Sequence, residues 1–353
     1  MTDRSSRLMV GTAAVFFVFA FAGMMISAPR GLAQDWAPNG KITRPGVKEF
    51  QVPFASLKPE ATFKIGADAD WVQITDDAVW VASSEPASVH RINPKTNKEV
   101  AVVPVPGDPC AGLTFGFGSL WVPLCGKPSS IIRVDPATNQ ITATLPVGPA
   151  GPEGGIAASR DSVWIVTDNA GTLVRIDPVS NKVRQTISIA PGSYNPVFDG
   201  SMSEDGTVWI SGGIANIVTA VDAASGAVLA TVPVGPKPRF LAVGGGSIWT
   251  LNQGDGSVTR VDAQSRKAIA TITVGIPGPG GDIGWGGGFA WTTVFGVPLT
   301  AIDGTTNKIF RQWVGAGGDA LRFGHDSVWL TDYKHGTFSR ITYAETMKSK
   351  TSR

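Results

Sequence analysis

Histidine and cysteine are scarce in this chain, which has three histidines and two cysteines among 353 residues. Hydrolases and metalloenzymes usually use histidine as an acid, a base or a metal ligand, so the scarcity limits the available chemistry. The sequence also contains no CxxCH, HExxH, EF-hand or GxSxG pattern. Haem c attachment, zincin chemistry, that calcium motif and a nucleophile elbow are therefore unsupported.

Charge is low as well, since charged residues make up 16% of the chain and form no basic run. The N-terminal leader described below carries three of the 30 Lys and Arg residues and one of the 28 acidic residues, so 27 of each remain without it. Such a neutral chain lacks the clustered cations that neutralise phosphates, and we expect no nucleic-acid partner. The 42% of apolar residues argue against disorder.

Residues 1–33 have the features of a secretory signal peptide. Arg4 and Arg7 form a basic start, residues 8–28 are apolar and uncharged, and Ala33 ends a small-residue cleavage site before Gln34. Cleavage leaves no membrane span and predicts a periplasmic or secreted protein. The apolar stretch is also long enough to cross a bilayer, so an uncleaved anchor in the inner membrane is the alternative.

Tryptophan recurs at a regular interval. Seven short apolar segments each carry a central Trp, and 38 to 45 residues separate one Trp from the next. The seven are Trp80, Trp121, Trp164, Trp209, Trp249, Trp291 and Trp329. A period of this length carried by short strands is typical of β-propellers.

Each of the first six repeats also has a five-residue turn, as in Asp135–Asn139. An Asx side chain at its first position bonds the backbone beyond it, and Asn or Gly at its last position accepts a positive φ. The six turns begin at Asn93, Asp135, Asp177, Asp222, Asp262 and Asp303. Together with the alternating segments around them, they predict four antiparallel strands, a to d, in every repeat, with the Trp on strand b.

Seven Trp segments accompany six turns, because the chain ends soon after Ile341. Residues 61–66 match strand d and precede the first strand a, so we predict that they pair with the last blade and close the ring. The predicted fold is all-β, a seven-bladed β-propeller over residues 61–344. A lead-in segment, 34–60, precedes it and a polar tail, 345–353, follows it. We expect a monomer.

The apolar-Trp-apolar strand and the Arg-[Val/Ile]-Asp-Pro-x-[Thr/Ser]-Asn turn resemble those of bacterial exported β-propellers of the YVTN type. They are also similar to the propellers grouped with streptogramin (virginiamycin) B lyase. The resemblance covers all seven repeats and implies the propeller fold. For the lyase it implies a histidine and glutamate site with a bound magnesium ion on the loop face. Of His90, His325 and His335, only His335 is predicted to reach that face.

Cys110 and Cys125 are the two cysteines. If Phe115 pairs with Leu120 in the hairpin of the second blade, the same register places the cysteines opposite each other. Facing cysteines in an exported protein are expected to form a disulfide. A redox pair or a metal site is the alternative, although neither CxxC spacing nor a nearby histidine supports it.

Five arginines occupy the same position near the end of strand c. They are Arg91, Arg133, Arg175, Arg260 and Arg340. A ring of cations can bind an anion. Their regular repetition favours a structural role instead, in which each arginine bonds the turn of a neighbouring blade.

The candidate site lies at the face formed by the d–a and b–c loops, because the inner strands of all blades meet there. The longest departures from the repeat fall in these loops. The predicted ligand-binding residues are Glu153, Tyr194, Asn195, Arg239, Asp282, Asp319, Asp332, Tyr333 and His335. Solvation of polar loops is the simpler explanation for any one of them.

Two functions follow from this face, and the sequence assigns catalytic residues for neither. The first is a non-catalytic exported propeller that binds a small molecule or a protein partner and needs no cofactor. The second is a lyase- or lactonase-type enzyme with a divalent metal ion. Its candidate groups are Glu153, Asp282, Asp319, Asp332 and His335. Convergence of these groups favours the enzyme, whereas a funnel of Gly, Ala and apolar side chains favours binding alone. Quinone-dependent oxidation is a third possibility without a motif to support it.

Overall fold

The computed structural model of the chain describes residues 44–201 and 206–348. The predicted signal peptide, the first part of the lead-in (34–43) and the end of the tail (349–353) lie outside the described residues. Within the described residues, no helix is long and apolar enough to cross a membrane.

Strands dominate the described chain. β1 (Gln51–Pro53) lies between two short 3-10 helices, Lys48–Phe50 and Phe54–Ser56, and β2 (Ala61–Lys64) follows them. Blades 1 to 3 contain β3 (Asp70–Ile74), β4 (Val79–Ser84), β5 (Ala87–Asn93), β6 (Lys98–Pro104), β7 (Thr114–Gly116), β8 (Ser119–Leu124), β9 (Ser130–Asp135), β10 (Gln140–Leu145), β11 (Ile156–Ala158), β12 (Val163–Val166), β13 (Thr172–Asp177) and β14 (Lys182–Ser188).

The remaining blades follow the same order of strands a to d. Blades 4 to 6 contain β15 (Ser193–Asp199), β16 (Thr207–Gly212), β17 (Ile217–Asp222), β18 (Val228–Pro233), β19 (Pro238–Gly244), β20 (Ser247–Asn252), β21 (Ser257–Asp262), β22 (Lys267–Thr273), β23 (Asp282–Gly286), β24 (Phe289–Val294), β25 (Val297–Asp303) and β26 (Lys308–Val314). Blade 7 contains β27 (Leu321–Gly324), β28 (Ser327–Asp332) and β29 (Thr337–Thr342), after which comes the short helix α1 (Tyr343–Met347).

The inner strands contact one another in cyclic order from blade 1 to blade 7 and back, so the blades form a ring. All seven repeat tryptophans are fully buried between blades, and each indole of this size buries about 150–250 Å². In four blades the indole N–H also donates to a carbonyl at the end of strand a, as from Trp121 to Gly116 at 3.0 Å. The predicted seven-bladed propeller is confirmed.

The ring closes through the N-terminal strand, as predicted. β2 pairs antiparallel with β29, and Phe63 lies opposite Phe338. The Phe63 ring also stacks on Trp329, with 6.5 Å between the ring centroids. The start of the propeller therefore supplies strand d of its last blade.

Blade 6 has a fifth strand, which the sequence analysis did not foresee. β1 pairs in parallel with β26, and Val52 lies opposite Trp313. Gln312 of β26 positions this segment, because its side-chain oxygen accepts a hydrogen bond from the Val47 amide at 2.6 Å. A three-residue strand between short turns has too few residues to show an alternating pattern.

The predicted disulfide joins Cys110 and Cys125, with their Cα atoms 5.6 Å apart. Phe115 pairs with Leu120 as expected. Regular pairing stops before the cysteines, however, and Cys125 forms its β-bridge with Asp108. The disulfide ties the d–a loop that enters blade 2 to the end of β8, at the loop face.

The strand-c arginines have the predicted structural role. Arg340 donates to the Pro94 carbonyl at 2.6 Å and to Asn97 Oδ1 at 2.9 Å, in the c–d turn of blade 1. The other four arginines reach the turn of the following blade in the same way. Each guanidinium also lies over the Trp of its own blade. We call these five charge-assisted contacts between blades the arginine clasps.

Blades 4 and 6 have no arginine at this position. In blade 6, the way the ring closes accounts for the absence. Blade 6 has Ala301 opposite its Trp, and the blade that follows has no c–d turn for an arginine to reach. Instead, Arg311 of β26 donates to the carbonyls of Thr346 and Lys348 at 3.3 and 2.7 Å. These hydrogen bonds hold the C-terminal segment against blade 6, in place of the c–d turn that blade 7 lacks.

Candidate functional site

Six of the seven blades bring a polar side chain to the loop-face end of the inner strand. Strand a follows a d–a loop in every blade, so these side chains lie at the same end of the ring. They are Asp70, Glu153, Asn195, Arg239, Asp282 and Asp319. Five of the six are predicted site residues, and the structure brings them together around the axis.

Four of these residues are acidic, and we call Asp70, Glu153, Asp282 and Asp319 the carboxylate ring. Burial, followed by the charges of Asp319 and Glu153, raises the pKa of Asp70 well above its ordinary value of 3.8. Burial, followed by the charge of Glu153, raises the pKa of Asp319 in the same direction. Negative charge from four separate blades is thus concentrated on the axis of the propeller.

Two arginines partly offset this charge. Burial raises the pKa of Glu153, and Arg239 opposes the rise. Burial likewise raises the pKa of Asp282, and Arg322 opposes it through a direct ion pair. The carboxylate ring is therefore compensated on the side of blades 5 to 7 more than at Asp70.

Three members of the carboxylate ring have oxygens without protein donors. Asp70 Oδ1 accepts from the Trp71 amide at 2.7 Å, and Asp319 Oδ1 accepts from the Gly281 amide at 3.3 Å. Among the described residues, the second oxygen of each aspartate has no hydrogen-bond partner, although both residues are more than nine-tenths buried. The half-buried carboxylate of Glu153 has none either. These oxygens keep some accessible surface, so a ligand that supplies donors can reach them, and the neighbouring negative charges favour a cation.

Asp282 differs, because its oxygens are occupied. Its Oδ1 accepts from the Ile283 amide at 2.8 Å, and its Oδ2 accepts from the Leu321 amide at 3.2 Å and from Arg322. Asp282 therefore joins the inner strands of blades 6 and 7 and fixes the position of Arg322.

Sequence reasoning missed three charged residues of the site, namely Asp70, Arg322 and Arg44. Asp70 and Asp282 both begin strand a, so a comparison of these two repeat positions would have found Asp70. Arg44 precedes the repeats and had no such signal. It is fully buried, and its guanidinium donates to the Ile276 carbonyl at 3.2 Å and to the Pro279 carbonyl. Burial lowers its pKa to about 10, and Asp319 opposes the change.

Tyr194 and Arg239 hold the loop that carries Glu153. The Arg239 guanidinium lies 3.4 Å from the centroid of the Tyr194 ring. The Tyr194 hydroxyl and Arg239 both donate to the carbonyl of Pro152, next to Glu153. Asn195 lies against Gly155, where an added Cβ would be 2.3 Å from Asn195 Oδ1. A larger residue at position 155 would therefore displace the Asn195 side chain.

The other three predicted residues lie on the b–c loop of blade 7, at the rim of the carboxylate ring. His335 Nδ1 is 2.7 Å from Asp332 Oδ2, and the His335 side chain is 57% exposed. Tyr333 packs edge-on against Phe295, with 6.2 Å between the centroids. Burial, followed by the charge of Asp68, raises the Tyr333 pKa, and the charges of the ring add to the rise.

Within residues 44–201 and 206–348, no group of three or more His, Cys, Asp or Glu side chains is placed to hold a metal ion. The convergence of Glu153, Asp282, Asp319 and His335 at metal-ligand distance, which the enzyme hypothesis expects, is therefore not found among these residues. The funnel is not purely apolar either, because it ends in the carboxylate ring.

The remaining histidines lie away from the site. His325 contacts the Thr75 carbonyl at 2.9 Å on the opposite face. His90 is 3.1 Å from the Ser88 hydroxyl and 2.7 Å from Glu99, an arrangement similar to a serine hydrolase relay. Ser88 is only 2% exposed, however, so substrate has no route to its hydroxyl and the cluster is structural.

A cavity of about 400 Å³ runs along the inner strands. Its lining reaches Trp71 and Ile283, which follow Asp70 and Asp282 in the chain, and includes none of the four carboxylates themselves. Its volume is within the range of small-molecule sites. The inner strands line it with aromatic and polar side chains, including Trp71, Gln73, Asn195, Phe198, Trp285, Arg322 and Phe323.

These features define a seven-bladed β-propeller with an acidic, partly unsatisfied site at the centre of its loop face. The chain matches no protein family, and no curated protein matches it. Among solved structures it is similar to a catalytically inactive variant of virginiamycin B lyase from Staphylococcus aureus, crystallised with quinupristin. The TM-score is 0.66 and the identity 17%, over 81% of this chain and 98% of that chain. This likeness confirms the fold that the repeat resemblance implies.

Proposed function

We propose that the chain is an exported β-propeller that binds a small cationic molecule, such as an organic amine, at its loop face without catalysing a reaction. The observation that carries the proposal is the carboxylate ring. Four acidic side chains from four blades lie around one axis, and Asp70, Glu153 and Asp319 have oxygens that lack donors. The N–H groups of an ammonium supply such donors and the opposite charge.

Aromatic side chains beside the ring suit an organic cation. Trp71 follows Asp70 and lines the cavity, and Tyr333 lies close enough for the charges of Asp70 and Asp319 to raise its pKa. Aromatic faces attract cations, most strongly where water is excluded. An amine with an apolar body therefore gains from the rim as well as from the carboxylates.

Geometry favours an ammonium over a divalent metal ion as the bound cation. Calcium and magnesium require several oxygens within about 2.0–2.6 Å of one point. No such group exists among the described residues. An ammonium donates hydrogen bonds of about 2.7–2.9 Å in several directions, which suits carboxylate oxygens that come from separate blades.

Calorimetric titration with benzylamine tests this proposal. We expect saturable binding to the wild-type protein and binding weaker by about tenfold or more in Asp319→Asn, which removes a charge from the ring. Asp76→Asn is the matched control, because Asp76 is exposed on the hairpin that follows β3 at the opposite face. Absence of saturable binding to the wild type, or equal affinity in Asp319→Asn, would contradict the proposal.

The enzyme hypothesis keeps one supporting observation, the Asp332–His335 pair on the loop face. A carboxylate that holds an exposed imidazole is a common arrangement for acid–base chemistry. In this second candidate function, a divalent ion bound near Glu153 would serve a lyase or lactonase reaction. Titration with magnesium chloride separates the two proposals: binding that Glu153→Gln abolishes supports the enzyme.

Export is the remaining part of the proposal. The Cys110–Cys125 disulfide supports it, because disulfides persist in oxidising compartments. We expect the protein purified from the periplasm or medium to begin at Gln34, as measured by intact mass. A chain recovered in the membrane with its first residues present would indicate the uncleaved anchor instead.

A further inference from the structure

One level of the cavity can be defined from strand pairing. In every blade, one residue of strand a lies directly opposite the repeat Trp of strand b. These seven residues, which we call the channel level, are Gln73, Thr114, Ala157, Val197, Ala242, Gly284 and Arg322. All seven line the cavity.

The channel level is polar on one side and small or apolar on the other. Arg322, Gln73 and Thr114 come from the consecutive blades 7, 1 and 2. Blades 3 to 6 contribute only alanine, valine and glycine at this level. A ligand in the cavity therefore meets hydrogen-bonding groups along one wall and a surface for an apolar body along the other.

Arg322 has donors left over for such a ligand. Its Nη1 donates to Asp282 and to the Leu321 carbonyl, and its side chain is 30% exposed. Among the described residues, neither Nε nor Nη2 has an acceptor. Asp282, in contrast, has both oxygens occupied by protein donors. The group of this ion pair that remains able to bind is the guanidinium.

The Arg322 guanidinium lies beside the carboxylate ring although its backbone belongs to the channel level. Asp282 begins β23, and Gly284 of the channel level stands two residues further along. A strand rises about 3.3 Å per residue, so the backbone of the channel level lies roughly 6–7 Å below that of Asp282. The Arg322 side chain spans this distance, because its Nη1 donates to Asp282 Oδ2.

We propose that the ligand of this site is amphoteric: its ammonium binds the carboxylates with donor-free oxygens, Asp70, Glu153 and Asp319, its carboxylate binds Nε and Nη2 of Arg322, and its apolar body lies between the two charges. The proposal rests on the cation site proposed above and adds the ligand's second charge. Arginine presents a planar pair of donors that matches a carboxylate, and the apolar wall of blades 3 to 6 takes the apolar body. A ligand with both charges also brings no net charge into the cavity.

Three matched probes test the second charge. Benzylamine carries the cation alone, benzoate the anion alone, and 4-(aminomethyl)benzoate carries both across one ring. We expect the wild-type protein to bind 4-(aminomethyl)benzoate about tenfold more tightly than benzylamine, as measured by calorimetry. Benzoate should bind most weakly, because the carboxylate ring repels it.

Two variants test whether Arg322 and the channel level are responsible for the tighter binding of 4-(aminomethyl)benzoate. Arg322→Met should abolish the advantage of 4-(aminomethyl)benzoate while benzylamine binds at least as tightly as before, since a neighbouring cation is gone. Arg184→Met is the control, because Arg184 is half-exposed in a surface ion pair. Ala242→Leu fills the channel level without touching the ion pair. It should weaken the binding of 4-(aminomethyl)benzoate more than that of benzylamine. This second variant keeps the test available if Arg322→Met does not fold.

The outcomes separate the two proposals. If benzylamine and 4-(aminomethyl)benzoate both fail to bind the wild type, the cation site itself is wrong. If benzylamine binds and 4-(aminomethyl)benzoate binds no more tightly, only the amphoteric ligand is wrong. The same conclusion follows if the advantage survives in Arg322→Met, or in Ala242→Leu should Arg322→Met not fold.

Discussion

The two faces of the propeller differ in whether their charged side chains have hydrogen-bond partners within the protein. On the turn face, formed by the a–b and c–d turns, five arginines each find acceptors in the next blade. On the loop face, Asp70, Glu153 and Asp319 keep oxygens without donors although the protein surrounds them. The same blade repeat builds both faces, so the fold alone does not account for the difference.

Paired charges and unpaired charges have different consequences for stability. The arginine clasps stabilise the ring, because each joins two blades through charge-assisted hydrogen bonds. The carboxylate ring destabilises the free protein, because burial and the repulsion between neighbouring carboxylates disfavour the ionised form. Groups that cost stability in the free protein are expected where a ligand binds. The difference between the two faces supports the proposal that the loop face binds a ligand.

The largest loss of stability is expected from deleting residues 34–66. The deletion removes β2 from blade 7 and opens the ring, which exposes the edge of β29. We expect an aggregated product without a cooperative melting transition. Deleting residues 34–43 alone is the control, because it leaves β1 and β2 in place. A soluble, cooperatively melting protein from the longer deletion would show that ring closure is dispensable.

The next largest loss of stability is expected from removing a single arginine clasp. Arg340→Ala removes the hydrogen bonds to Pro94 and Asn97 and the contact over Trp329, and should lower the free energy of unfolding by about 3 kcal/mol. Arg184→Ala breaks an exposed ion pair and should cost less than about 1 kcal/mol. Chemical denaturation measures both. Equal losses would mean that the clasps are ordinary surface charges.

The loop face has its own covalent support in the disulfide. Cys110→Ser should lower the free energy of unfolding by about 3 kcal/mol under oxidising conditions, since the bond closes a loop of 15 residues. The fold should be kept. Melting of the wild type with and without reductant checks the same point, and identical melting temperatures would contradict it.

The smallest effect is expected from Asp70→Asn, and it is an increase in stability rather than a loss. The folded-state pKa of Asp70 is raised, so its stabilising contribution is complete below pH 3.8 and is lost as the pH rises through the raised value. Asp70→Asn avoids that loss and should be more stable than the wild type at neutral pH, by about 1 kcal/mol. Asp77→Asn on the turn face removes a partner of Arg91 and should be slightly less stable. Denaturation curves at acidic and neutral pH compare the two.

The repeat pattern predicted the blades, the closing strand, the disulfide and the arginine clasps, because each depends on spacing within a blade or between successive blades. It predicted five of the six polar residues at the inner ends of the blades, with Glu153, Asn195 and Asp282 found from the length of their loops. It did not predict Arg44, whose contacts with the Ile276–Pro279 loop link segments far apart in the chain. Arg322 was missed because its role depends on which side chains face it across the axis.

The proposed function depends on carboxylates whose pKa values are raised by burial and by one another until a cation binds. Titration of the side-chain carboxyl carbons of Asp70 and Asp319 by nuclear magnetic resonance measures this directly. We predict apparent pKa values well above 3.8 in the free protein and a fall in both when benzylamine is added. Ordinary pKa values in the free protein, or values that the amine leaves unchanged, would contradict the account.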